Sequence, residues 1–122
     1  CPNQLGQLGA LWAMRPLAQW VAGERAELLA RRAALTEGFG ALEGWHLHGC
    51  GAYFAWVDHP GHDASPDFAR RLVREAGVLA LPGTMFMPEG TVQGDRGLRI
   101  AFANVDTAGI AELIRRLATV AP

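Results

Sequence analysis

Apolar residues in "QLGQLGALWAMR", residues 4–15, recur at helical spacing through Leu5, Leu8, Leu11 and Trp12. Pro16 must bend or end that helix, because its ring removes a backbone donor and clashes with the preceding turn. A second helical stretch carries Leu17, Trp20, Val21, Leu28, Leu29 and Leu35 and runs to about Glu37. The pattern leaves open whether Pro16 bends one long helix or separates two. Gly38 and Gly40 are expected to stop the helix. The period then shortens. "GWHLH" and "AYFAWVD" read as two strands of a hairpin that turns at "GCG". The second strand is apolar on both faces, so both of its sides are expected to be covered.

"HPGHDASP" reads as a loop, Ser65 as the cap of a further helix, Pro66 as its first residue and Gly77 as its end. Phe68, Leu72 and Ala76 share the inward side of that helix. "VLAL" is a short buried strand. A long loop, "PGTMFMPEGTVQGDRG", leads into "LRIAFA", whose Leu98, Ile100 and Phe102 alternate with Arg99, Ala101 and Ala103. Asp106 or Thr107 caps a last helix with Ile110, Leu113, Ile114 and Leu117 on its buried side. The order α-β-β-α-β-β-α predicts an α+β fold, a small mixed β-sheet covered by helices. No internal repeat or low-complexity segment appears.

At 122 residues the chain is expected to form a single domain, 1–122, and half of it is hydrophobic, enough for a sizeable core. A net charge of −1 removes the electrostatic case for nucleic acid or an anionic membrane. No apolar run approaches the ~20 residues needed to span a bilayer. No basic-apolar-small signal segment opens the sequence, so the cytoplasm is the expected compartment. Cys1 and Cys50 match no metal or redox spacing and are expected to be reduced thiols. All eleven basic residues are arginine, so no side chain here can form a Schiff base or serve as a P-loop lysine. The chain begins with Cys1 rather than Met, which points to a piece of something longer.

Few residue groups suggest chemistry. His59 and His62 in "DHPGHD" lack a third ligand nearby and read as members of a solvated loop rather than a metal site. "GCG" has no helix after it to make a phosphate cradle. Met85, Phe86 and Met87 put large apolar groups in a loop, where they either tuck over their own core or pack against another domain, subunit or ligand. Arg99 is the sharpest case. Its alanine neighbours leave space beside a fixed cation, so the guanidinium is expected to project into open space and receive an anionic ligand. The competing reading pairs it with Glu89 or Asp95 as an ordinary surface arginine.

These residues resemble a known family. "REAGVLALPGTMFMPEGTVQGDRGLRIAFA" is similar to the C-terminal stretch of class I/II aminotransferases, the pyridoxal-phosphate enzymes of fold type I. There an E-x-G-V helix end leads to a V-x-x-x-P-G strand-turn, a variable loop and an R-[LIV]-x-[FL]-[AS] strand. Glu75 to Val78, Pro82-Gly83 and Arg99 to Ala103 stand at those places, and "GCGAYFAWVD" matches a G-[GA]-[FY]-[FY]-x-W segment.

The resemblance implies the small C-terminal domain of such an enzyme, which closes over the active site of a separate large cofactor domain. It implies that Arg99 grips the α-carboxylate of an amino acid or 2-keto acid substrate, with Tyr53 near that substrate. It further implies pyridoxal 5'-phosphate as cofactor, bound mainly by the large domain, and a homodimeric full-length protein. The departure from the family is large: its Schiff-base lysine, the aspartate facing the pyridine nitrogen and most phosphate contacts belong to a domain not represented in these residues. Alone, the 122 residues are expected to be inactive. Two other readings remain open at this point: a pyridoxal-phosphate lyase, synthase or aminotransferase-like regulator domain of the same fold, and a stand-alone small-molecule binding or interaction module.

Overall fold

A computed structural model describes residues 2–120; Cys1, whose thiol state was one of the expectations, lies outside the described residues. The helix α1 spans Gln4–Met14, capped by the Asn3 side chain, which accepts from the Gly6 N–H at 3.1 Å. Pro16 separates it from α2, Ala18–Gly40, so the proline divides two helices. Gly38 does not stop α2. It lies inside the helix, where a Cβ would collide with Ile114, and so permits the close approach of α5 (Thr107–Leu117). The helix ends at Gly40.

The strands are β1 (His46–Gly51), β2 (Phe54–Asp58), β3 (Leu81–Pro82) and β4 (Gly97–Ala101), in the spatial order β1-β2-β4-β3. Every pairing is antiparallel, whereas a mixed sheet was expected. The crossover through α3 (Ser65–Ala76) does set β2 and β3 parallel to each other, but β4 inserts between them and pairs with both. The hairpin turn also moves: "GCG" belongs to β1, and the two-residue turn is Ala52–Tyr53, with Ala52 at φ 49°. Gly49 and Gly51 stand opposite Trp56 and Phe54 across the ladder.

Period two sorts β2 and β4 cleanly. Ala55, Val57, Leu98 and Ile100 face a core completed by Leu35 and Phe39 of α2, Phe68 and Leu72 of α3, and Ile110 and Leu117 of α5. Phe54, Trp56 and Arg99 lie on the other face, which is only partly covered. Trp45 wedges edge-on between Phe39 and Phe68, at 5.9 and 5.8 Å between ring centroids.

Ser65 is not the cap of α3. Ala64 holds that position, and the buried Ser65 hydroxyl instead donates to the Gly94 carbonyl at 2.7 Å, tying α3 to the segment before β4. Gly77 ends α3 in the left-handed conformation at φ 62°, and Asp106 caps α5 by accepting from the Gly109 N–H at 2.8 Å. The loop before β4 contains a 3₁₀ turn at Gly83–Met85 and a short helix α4, Val92–Arg96. Of "VLAL", only Leu81 enters the sheet. Val78 and Ala80 are buried, and Leu79 points outward.

His59 also departs from its sequence reading. It is fully buried rather than solvated, with its ring stacked on Phe68 at 3.9 Å and 12°, while His62 stays exposed. Burial lowers the His59 pKa, aided by Arg96 and opposed by the Asp95 backbone and the Asp58 and Asp63 carboxylates. Because the folded state holds this imidazole neutral, the unfolded chain binds more protons once pH drops below the ordinary value of 6.5. The stability this contributes is present above that pH and declines as pH falls through the window beneath it. Urea midpoints at pH 7.5 and 5.5 should therefore drop for the native chain, and the drop should shrink in His59→Phe, which keeps a ring on Phe68. Equal drops in both would contradict this source of acid sensitivity.

The helix α1 has no buried residue, and Leu5, Trp12 and Met14 are 80%, 68% and 80% exposed. Trp20 and Val21 extend this apolar surface onto α2. Surface of this kind is rare on a monomer. The isolated chain should self-associate in sedimentation velocity. A monomer at high concentration that binds no apolar-surface dye would contradict this.

Candidate functional site

Strand β4 places Arg99 in register between Trp56 on β2 and Leu81 on β3, on the face turned away from the helices. The side chain is half-buried, and its guanidinium carbon lies 4.3 Å from the Phe54 ring centroid and 4.1 Å from that of Phe86. Both are cation–π distances. The guanidinium therefore does not project into open space: two rings occupy part of what the alanine neighbours leave. Nor does Arg99 pair with Glu89 or Asp95. Among the described residues the ion pairs link Glu27 to Arg31, Asp67 to Arg70, Asp63 to Arg71, Asp58 to His48, and Glu112 to Arg115 and Arg116.

Local sequence sets each ring. Phe54 and Trp56 alternate outward along β2. Phe86 follows the 3₁₀ turn, its N–H bonded to the Gly83 carbonyl at 2.9 Å. Gly83 is required there, since a Cβ would sit 2.7 Å from the carbonyl oxygens of both Gly94 and Gly97. Trp56 lies over Gly97, where a Cβ would meet its ring at 2.5 Å, and makes an edge contact with Phe86 at 6.2 Å. A Cβ at Gly49 or Gly51 would meet nothing within 4 Å, so the same face stays open on the β1 side.

Tyr53 stands elsewhere. It is half-exposed in the Ala52–Tyr53 turn, and its carbonyl accepts from the Phe102 N–H at 3.0 Å. It lines a groove of about 540 Å³ with Trp20, Val21, Leu28 and Arg31, and that groove does not include Arg99. Arg31 closes one end, donating to the Ala103 carbonyl at 2.6 Å while paired with Glu27 at 2.8 Å. The sequence pattern marks Arg99 and Tyr53 but not Phe54 and Trp56, which share the arginine's face of the sheet. Their signal was present in the period of "YFAWVD", which aligns every second residue of β2 with Arg99 once the two strands pair.

An α+β domain with a helix-covered antiparallel sheet, presenting a fixed arginine on its open face, is the class of structure this chain defines. The family model of class I and II aminotransferases matches residues 2–117, and the chain belongs to that family. Among solved structures it is similar to N-succinyldiaminopimelate aminotransferase from Mycobacterium tuberculosis, with 31% identity and a TM-score of 0.79 over 94% of this chain and 30% of that one. It is similar to a further aminotransferase from Mycobacterium tuberculosis, with 29% identity and a TM-score of 0.79 over 98% of this chain and 30% of that one. The aromatic aminotransferase from Pyrococcus horikoshii OT3, 24% identical with a TM-score of 0.73 over 97% of this chain and 31% of that one, shares the fold. No curated protein matches. The chain thus spans about 30% of the length of the solved relatives it resembles. No helix among the described residues is long and apolar enough to cross a membrane.

Proposed function

We propose that this chain is the small C-terminal domain of a pyridoxal 5'-phosphate-dependent aminotransferase, and that Arg99 binds the α-carboxylate of its amino acid or 2-keto acid substrate. The observation that carries this reading is the state of Arg99: half-buried, placed by two strands, touched by two rings and free of any carboxylate partner among the described residues. A planar guanidinium so held suits a bidentate carboxylate, with two parallel charge-assisted hydrogen bonds.

The residues present fit the substrate end of such a site and not the cofactor's own attachment. With eleven arginines and no lysine, the chain offers no amine side chain to bond an aldehyde. Pyridoxal phosphate, when bound, supplies the electron sink for chemistry at the substrate α-carbon. This domain's share is to grip and orient the carboxylate and to help exclude water as it closes. In this reading the apolar surface of α1 and α2 packs against the large domain or the second subunit of a homodimer, and Tyr53, in its separate groove with Trp20 and Arg31, takes no part in holding the carboxylate. The test is the substrate dependence of Arg99 variants of the full-length protein. Loss of kcat/KM on removing the guanidinium supports the reading, and an unchanged value overturns it.

A further inference from the structure

The rings around Arg99 raise a question that the carboxylate alone does not answer. Phe54 and Phe86 are 40% and 41% exposed, so neither belongs to the core. They come from opposite sides of β4: Phe54 from β2, and Phe86 from the turn that follows β3. Yet both reach the same guanidinium, at 4.3 and 4.1 Å. The backbone is shaped to allow this. Gly83 lets the 3₁₀ turn press against the Gly94 and Gly97 carbonyls, and Gly97 accommodates Trp56, which backs Phe86. An exposed arginine has many rotamers, and a bidentate pair requires one of them. Contact with two aromatic rings restricts that choice before any ligand arrives, while the glycines at 49 and 51 leave the face open for one to enter.

We infer that Phe54 and Phe86 are positioning residues, an aromatic clamp that holds the Arg99 guanidinium ready for the substrate carboxylate and thereby sets carboxylate affinity rather than the rate of the chemistry. The inference rests on the carboxylate reading of Arg99. The clamp acts through the arginine, so its loss weakens binding and spares steps that follow binding.

Two measurements test it. In the full-length protein, the Arg99 Nε–H proton should resonate upfield of those of arginines with no ring beside them, because the guanidinium carbon lies 4.3 and 4.1 Å from two ring centroids. Phe54→Leu and Phe86→Leu should each reduce that displacement, and Phe54→Tyr and Phe86→Tyr should preserve it. In the full-length protein, the substrate is whichever of L-alanine, L-aspartate, L-glutamate and L-phenylalanine it turns over fastest. Either Leu variant should raise KM for that substrate by about 3- to 30-fold, with kcat changed by less than about twofold. The Tyr variants should stay near the native KM. An unshifted Arg99 spectrum, a Leu variant with native KM, Tyr variants as impaired as Leu, or a fall in kcat as large as the rise in KM would each overturn the clamp. Should one Leu variant fail to fold, the substitution at the other ring and its Tyr counterpart decide the matter. If Arg99→Leu is impaired and both Phe→Leu variants are native, the clamp fails alone; if Arg99→Leu is itself native, the carboxylate reading fails with it.

Discussion

Replacing Arg99 by Leu in the full-length protein should lower kcat/KM for its amino-acid substrate by roughly 30- to 5,000-fold. The expected loss is that of one partner of a desolvated, hydrogen-bonded charge pair, ~2–5 kcal/mol at about 1.4 kcal/mol per decade. Arg99→Lys should recover only part of it, because an ammonium keeps the charge but cannot form the two parallel bonds of a guanidinium fork. The structure adds a reason to expect a folded variant. Arg99 lies on the face opposite the core and shares no ion pair among the described residues, so its removal leaves no buried group unsatisfied. Its contacts with Phe54 and Phe86 are surface contacts, which a Leu side chain replaces in part. Circular dichroism melts within a few degrees of native, together with the kinetic loss, would separate binding from stability.

Phe68→Ala should be the most damaging single change to the fold. The ring is fully buried, stacks on His59 at 3.9 Å, takes the edge of Trp45 at 5.8 Å and carries Arg71 at 4.8 Å from its centroid. Truncating a buried Phe costs ~3–5 kcal/mol, a large part of the ~5–15 kcal/mol that holds a domain together. For a domain of this size each kcal/mol moves Tm by about 4 °C, so the midpoint should fall by roughly 12–20 °C. The buried His59 would lose its stacking partner as well, which adds to the cost. A cooperative melt within about 4 °C of native would show that the α3–β2 corner is not the keystone of this core.

Much of this was legible in the sequence, because period and punctuation act locally. The stripe in "FARRLVREAG" and its closing glycine define α3, and "LRIAFA" alternates so regularly that Leu98, Ile100 and Phe102 could face only the core. The aminotransferase resemblance rested on motif order and held for residues 2–117. What the sequence withheld depends on partners far along the chain. Gly38 and the "GCG" glycines read as breakers, yet one admits a neighbouring helix and the others face aromatic rings across a ladder. His59 read as solvated because its Pro/Gly surroundings resemble a loop, whereas packing on Phe68 buries it. Ser65 read as a cap because it precedes Pro66, but a carbonyl 29 residues away takes its hydroxyl. Arg99 itself was picked out correctly as an outward residue. The period of "YFAWVD" puts Phe54 and Trp56 on one face of β2, but nothing local says that β2 and the turn after β3 converge on one guanidinium.

In the proposed site the Arg99 guanidinium meets the substrate α-carboxylate. A crystal structure of the full-length protein with a bound, unreactive carboxylate analogue of its substrate tests this most directly. Two Arg99 N–H groups should donate to the two carboxylate oxygens at about 2.7–2.9 Å, with Phe54 and Phe86 still against the guanidinium. An analogue carboxylate held by other residues, with Arg99 turned to Glu89 or Asp95, would contradict it.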